Sequence, residues 1–283
     1  MNDTELAKSI CEEIWTESAR PVLHYTLEPG EPGIFESKMG GTPYLPKQDA
    51  WPLDKKGNPM DLLAQVSCDE LKDLADFPHT GLLQFFIARE DIYGIDFNDG
   101  TAQTGFRVIY HEVVDSSVTA EEVQGKRPQA PADDEEYYSP LFQNCRIVFG
   151  DVKTQGMTDG DYRFDKLFLE KWNERRPEAP LERLWDFFQR FPEKERDYDI
   201  FTQTDEGNVH HQLGGYPYFT QSDPRYAEIY QDLDVLLFQL DSDMRDEGDL
   251  IMWGDVGICN FFISLEALKH RDFSRVLYNW DCC

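Results

Sequence analysis

The side chains able to do chemistry crowd into one stretch of the chain. Asp241, Asp243, Asp246, Glu247, Asp249 and Asp255 follow one another with Arg245 as the sole cation among them. Closely spaced carboxylates are what a hard cation such as calcium needs. In EF-hand register, Asp241 and Asp243 fill the first and third positions. Arg245 then stands at the fifth, where an oxygen ligand is required. Asp246 replaces the sixth-position glycine and Met252 the twelfth-position glutamate. The EF-hand is excluded, no metal site is assigned, and the segment reads as a solvated acidic loop. Trp253-Gly254-Asp255 closes it with an aromatic, a turn and a carboxylate able to accept turn N–H groups. His210 and His211 are adjacent, so on a strand they point to opposite faces and do not share a metal. The histidines at 24, 79, 111 and 270 show no metal spacing.

Nucleophilic catalysis finds no support. The chain has no Gly-x-Ser-x-Gly elbow, no phosphate-cradling loop and no glycine-rich dinucleotide loop. Cys11, Cys68, Cys145, Cys259, Cys282 and Cys283 form no C-x-x-C pair and read as free thiols, the last two at a fraying end. No catalytic residue and no cofactor are assigned. The residues expected to contact a ligand or partner are Tyr44, Trp51, Tyr218, Asp241, Asp243, Trp253 and Asp255.

The elements that must position these residues announce themselves by repetition. Gly40-Gly41-Thr42-Pro43-Tyr44 recurs as Gly214-Gly215-Tyr216-Pro217-Tyr218, and Leu62-Leu63-Ala64-Gln65 as Leu236-Leu237-Phe238-Gln239. Gly81 to Ile87 matches Gly257 to Ile263, and Arg107-Val108-Ile109-Tyr110 matches Arg275-Val276-Leu277-Tyr278. Four blocks in the same order at nearly constant offset imply duplication. Each repeat reads as a Gly-Gly turn followed by about three short apolar strands. Gln65, Phe85, Phe86, Gln239, Phe261 and Phe262 form the expected repeat core, the two buried glutamines locking the halves together.

Between and around the blocks, Asn2 and Glu5 cap a helix carrying Leu6, Ile10 and Ile14, and Val22 to Leu27 alternates like a strand. Ser67 and Glu70 offer a capping box to a helix carrying Leu71, Leu74 and Phe77. Residues 112–136 read as an exposed acidic loop, and the stripe Leu181, Leu184, Trp185, Phe188 as a helix. Pro224 starts a short helix to Asp232, and Ser264 to His270 reads as another. The expected organisation is α+β: internally duplicated, mainly antiparallel β-sheet repeats flanked by helices. One unit spans 1–283, with repeat one at about 20–115, a partly helical bridge at 116–195 and repeat two at about 196–283.

In these blocks the sequence resembles the YwqG-like family of uncharacterised bacterial proteins. The resemblance rests on Leu62-Leu63-Ala64-Gln65, Gly81 to Ile87, the run from Leu236 to Asp243, Trp253-Gly254-Asp255-Val256-Gly257 and Phe261-Phe262-Ile263, and spans roughly 38–282. It implies a cytosolic α+β protein with no established enzyme activity, and it is compatible with an immunity-type role beside toxin systems. It carries over no catalytic residue.

Composition bounds the partners. The 27 basic residues face 55 acidic ones, a net charge of −28 over 283 residues. Such a surface repels phosphate, so nucleic acid is excluded as a partner. A hydrophobic share of 40% and an aromatic share of 13% argue against disorder. No window is long and apolar enough to span a membrane and no signal peptide is visible, so the expected location is cytoplasmic. The expected function is protein binding, with an acidic face around the second repeat for a basic partner. The alternative is a small-ligand protein or hydrolase with a cleft between the repeats, near Tyr44, Trp51, Tyr218 and Trp253.

Overall fold

The computed structural model describes residues 1–129, 138–202 and 209–283. Its elements in chain order are α1 (Asp3–Glu17), β1 (Arg20–Pro29), β2 (Lys38–Met39), β3 (Asp61–Ser67), β4 (Leu82–Ile87) and β5 (Phe106–His111). There follow α2 (Ala120–Gln124), β6 (Cys145–Gln155), α3 (Phe164–Arg175), α4 (Trp185–Phe188) and β7 (Gln212–Gly214). The chain ends with β8 (Val235–Asp241), β9 (Ile258–Ile263), α5 (Leu265–His270) and β10 (Leu277–Asp281). The strands make one sheet of ten in the order β10-β9-β8-β7-β1-β6-β2-β3-β4-β5. Every pairing is antiparallel.

That order reads the same outward from its middle. The long pair β1–β6 is the spine. On one side a short strand, β2, leads to β3, β4 and β5; on the other, β7 leads to β8, β9 and β10. The repeated blocks occupy matching places: Leu62 to Gln65 lies in β3 and Leu236 to Gln239 in β8. The register slips between Leu62 and Ala64 against β4, and between Leu236 and Phe238 against β9. One residue, Leu63 or Leu237, is thus extruded from each ladder, and a bulge of this kind bends a strand and sharpens its twist.

The bends let the two wings fold toward each other, so their inner faces meet. Phe85 of β4 stacks on Phe238 of β8 at 4.6 Å and tilts onto Phe261 of β9 at 4.8 Å. Phe106 lies 5.1 Å from Tyr278. Phe85, Phe86, Phe261 and Phe262 are all fully buried, but on different faces. Phe85 and Phe261 belong to the central core; Phe86 and Phe262 lie on the outer faces of their wings. Strands buried on both faces lose polar alternation, which is why β4 and β9 read as continuous apolar runs.

A second core sits in the helical layer. Asn2 and Glu5 form a reciprocal capping box at the start of α1. Ile10 and Ile14 then pack with Phe164, Phe168 and Trp172 of α3, with Phe187 of α4 and with Tyr216 of the second Gly-Gly turn. That turn has little room: Gly214 and Gly215 have φ of +69° and +64°, and a Cβ on Gly215 would stand 2.2 Å from Gln155 Oε1.

Five expectations are corrected. Ser67 and Glu70 start no α-helix: Cys68–Leu71 is a 3-10 turn, and Glu70 accepts from the Ser37 hydroxyl instead. Leu71, Leu74 and Phe77 are nevertheless buried, which their spacing required. The segment after Pro224 is two 3-10 turns, Pro224–Tyr226 and Glu228–Tyr230. The 116–195 bridge is partly helical, but it also supplies β6, half of the spine. Of the acidic 112–136 stretch, residues 120–124 form α2, and 130–136 lie outside the described residues.

The glutamines correct the fifth. Gln65 and Gln239 act within their own wings, not across the junction. Gln65 Oε1 accepts the Tyr44 N–H at 2.9 Å and a Gln84 Nε2 proton at 2.8 Å, while Gln84 Nε2 also donates to Tyr44 O. Gln239 Oε1 accepts the Tyr218 N–H at 2.8 Å and an Asn260 Nδ2 proton at 2.9 Å, and Asn260 Nδ2 reaches Tyr218 O at 3.2 Å. Each pair of amides staples a turn onto the centre of two strands. Gln65→Leu leaves the Tyr44 N–H and the Gln84 amide short of partners, so it should destabilise the chain by about 1–3 kcal/mol. Gln84→Leu should cost less in the Gln65→Leu background than alone, because the two share one network. Urea unfolding of both single variants and the double variant measures this, and strictly additive losses would refute the shared network.

Candidate functional site

The residues expected to bind fall into two groups, one per wing. On the second wing, β8 runs directly into the acidic segment. Asp241 and Asp243 are both buried. Asp241 Oδ2 accepts the His210 N–H at 2.9 Å, and its Oδ1 accepts the Ser242 N–H at 2.8 Å. Burial raises its pKa above the ordinary carboxylate value, against the pull of these hydrogen bonds and of the two histidines. Asp243 behaves oppositely. Burial works against its charge, but His211 and Arg245 outweigh it and hold the carboxyl well below the usual range. Arg245 donates Nε at 2.9 Å and Nη2 at 2.6 Å to Asp243, and Nη2 also reaches Leu27 O of β1. The arginine that spoils the calcium pattern is therefore the structural counter-ion of the loop.

His211 is buried beneath this pair. Its Nδ1 accepts the Asp241 N–H at 3.1 Å, so in the neutral ring the proton sits on Nε2. Nε2 faces Asp243 Oδ2 at 3.6 Å, too long for a hydrogen bond. His210 turns the other way and stacks on Tyr218 at 4.4 Å, so the adjacent histidines do face apart. Trp253 is fully buried, edge-on to Tyr93 at 5.6 Å, and its backbone N–H donates to Ser242 Oγ. Asp255 lies exposed in the turn beyond it.

On the first wing, Tyr44 and Trp51 share a small cluster over the outer face. Both are buried: the Tyr44 hydroxyl accepts the Asp115 N–H, and Trp51 Nε1 donates to Met60 O. Beside Trp51 opens a groove of about 910 Å3, walled by the Gly40-Gly41 turn, the start of β3 and the segment Leu141 to Asn144. Asp61, the first residue of β3, sits in it. It receives Arg89 Nε at 2.5 Å and Arg127 Nη2 at 2.7 Å. The Arg127 guanidinium lies 5.1 Å from the centre of the Trp51 ring. Burial and the neighbouring Arg127 charge draw Arg89 below its ordinary value, against the pull of Asp61. The groove lining holds no histidine and no cysteine. Its charged side chains are Glu31, Asp61, Arg89 and Arg127.

Tyr44, Trp51, Tyr218 and Trp253 do not converge. The interior between the wings, where a shared cleft was expected, is filled by Phe85, Phe238 and Phe261. A hollow of about 260 Å3 does lie between the halves, against Leu74, Phe77, Gly214 and Gly215, but none of the four aromatics lines it. Among the described residues, no group of three or more His, Cys, Asp or Glu is placed to hold a metal ion. Asp61, Arg89 and Arg127 escape sequence reasoning because they lie up to 66 positions apart and belong to no repeated block. Arg245 could have been read as the partner of Asp243 from its spacing of two.

The depressed pKa of Asp243 makes its contribution to folding pH-dependent. A carboxyl whose folded pKa lies below its unfolded value stabilises the fold above the unfolded value and loses that effect as pH falls through the folded one. Asp243→Asn should cost about 1–3 kcal/mol at neutral pH. The gap to the natural chain should be full above about pH 5 and shrink below about pH 4. Urea unfolding across that range checks it, and a gap constant with pH would contradict the assignment.

Comparison with known proteins adds one match. No curated protein matches the chain. The family described as Domain of unknown function (DUF1963) matches residues 37–282, a stretch that takes in every strand from β2 to β10 together with both candidate regions. On that match the chain belongs to the DUF1963 family.

Proposed function

We propose that the chain is a binding module built on a duplicated sheet, and that its acidic surface recognises a basic protein partner. The duplication is supported by the mirrored strand order, by the matching bulges at Leu63 and Leu237, and by the matching amide staples on Tyr44 and Tyr218. The observation that carries the binding reading is the fate of the basic side chains. Arg89 and Arg127 are held by Asp61, and Arg163 and Arg225 by Asp161. Lys171 and Arg175 pair with Glu13, and Arg176 and Arg190 with Asp3. Lys38 and Lys126 are bound by backbone carbonyls. Cations tied down in this way leave the excess of acids facing water, where a strong single-signed field steers an oppositely charged partner and sets its orientation.

The face itself differs from the expected one. Asp241 and Asp243 are turned inward, so the exposed carboxylates of the second wing are Asp246, Glu247 and Asp255. Tyr218, half-exposed on His210, supplies an aromatic contact on the same wing. An immunity-type role, with which the YwqG-like resemblance is compatible, fits this chemistry because a cationic toxin is such a partner.

Capture from a lysate of the source cell at about 50 mM salt should recover a basic protein that is released at about 500 mM. Reversing both charges in Asp246→Lys with Glu247→Lys should slow association about ten-fold while leaving the melting temperature nearly unchanged. A captured partner that is itself acidic, or one whose affinity ignores salt, refutes the reading. A second reading, small-ligand binding, is favoured by the first-wing groove. A screen of small anionic compounds by ligand-observed NMR should then give hits that Arg127→Ala abolishes.

A further inference from the structure

A separate groove of about 720 Å3 follows the free edge of β5, lined among others by Leu53, Arg107, Ile109, Tyr110, Arg271 and Phe273. β5 ends the sheet on its side. The Val108 N–H does not join the ladder to β4: it donates to Gln103 Oε1 at 2.8 Å. In an antiparallel ladder, residues two apart direct their backbone groups alike. The C=O of Val108 and the N–H and C=O of Tyr110 therefore point the same way, out along the edge. Gln103, itself anchored to Phe273 O at 2.7 Å, covers the beginning of that edge. Past it, β5 lacks two of the devices that blunt a free edge: it contains no proline and its register to β4 is unbroken.

Charge gives the groove a polarity opposite to that of the whole chain. No carboxylate lines it. Arg107 is exposed and enters no ion pair among the described residues. Arg271 donates to Asp76 O, Leu268 O and Phe77 O. Carbonyl dipoles fix its guanidinium in place without cancelling its charge. Two cations and no acid border one strand edge in a chain of net charge −28.

We propose that the β5 edge is a docking site for an extended acidic peptide segment, which adds to the sheet as an eleventh strand. Its backbone pairs with Val108 and Tyr110. Its alternate side chains fall on the two faces of the edge, one offering Arg107 with Leu53 and Ile109, the other Arg271 with Tyr110 and Phe273. Main-chain pairing supplies affinity, and the charges and apolar contacts supply selectivity. The site goes beyond the acidic surface described above, because it lies on another element and selects the opposite charge.

The test uses the full chain and a six-residue peptide alternating glutamate with valine and threonine. The peptide should bind and slow hydrogen exchange at the Tyr110 amide. Arg107→Glu, a change at an exposed side chain, should weaken binding at least about ten-fold. A peptide with lysine in place of glutamate, and a glutamate peptide N-methylated along its pairing edge, should not bind. Failure of the glutamate peptide to bind, or binding unaffected by Arg107→Glu or by N-methylation, overturns the proposal. So does a concentration-dependent dimer that the peptide does not displace, since a second copy would then own the edge.

Discussion

A buried carboxamide brings two donors and an acceptor oxygen out of water, and the fold that accepts it must meet them. This chain does so three times in the same manner. A tyrosine N–H donates to a glutamine oxygen, and a second amide donates both to that oxygen and to the tyrosine carbonyl. Gln65 and Gln84 serve Tyr44, Gln239 and Asn260 serve Tyr218, and Gln155 and Gln212 serve Tyr216. Each arrangement fixes the turn after a Gly-Gly pair against strand backbone, so those turns cannot shift without stranding several buried polar groups. Tyr216 and Tyr218 sit two residues apart, so one turn is held to the spine by the first and to the second wing by the other. Gly214 and Gly215 take positive φ in that turn, as Gly40 and Gly41 do in theirs.

With both wings stapled in this way, they differ chiefly in what covers their outer faces. Phe86 and Phe262 occupy matching places. Over Phe262 lies the Arg225 guanidinium, 4.2 Å from the ring centre, held by Asp223 and Asp161. Arg225 and Asp161 are almost wholly buried, and a buried ion pair stands only where both charges are fully hydrogen-bonded. Asp161 precedes α3, so the helical layer completes the second wing's cover. The counterpart of Arg225 by the 174-residue offset is Trp51, and beside it the first wing is open. The groove with Asp61, Arg89 and Arg127 exists because no equivalent of α3 closes that side.

Much of the sheet was legible in the sequence for a local reason. Each repeated block is a strand or turn whose residues satisfy one another at short range: Gly-Gly before x-Pro-Tyr sets a turn, and Leu-Leu-x-Gln sets a bulged strand with an amide at its centre. What escaped depends on distant partners. β6 was hidden because its outward positions, such as Arg146, Asp151 and Lys153, break the apolar run, and only its pairing with β1 makes Cys145–Gln155 a strand. The 3-10 turn at Cys68 replaced an α-helix because Glu70, which would have capped it, is taken by Ser37, 33 residues away. The functional geometry was least legible of all. Nothing local marks Asp61, Arg89 and Arg127 as neighbours, and no pattern tells that Asp241 and Asp243 face inward while Asp246 and Glu247 do not.

The charge asymmetry has the same origin. Buried acids such as Asp61, Asp161, Asp223 and Asp243 require cations, and the fold draws those from its 27 lysines and arginines. Each such pair removes one charge of either sign, so the excess of 28 acids over bases is left to the remaining residues. The ion pairs that hold the sheet together therefore do not dilute the negative charge the chain presents. Arg107 and Arg271 escape this rule, one by lying free at an edge and the other by being held with carbonyls. Together they give the β5 edge a polarity opposite to the net charge of the chain, and with it a way to tell one partner from another.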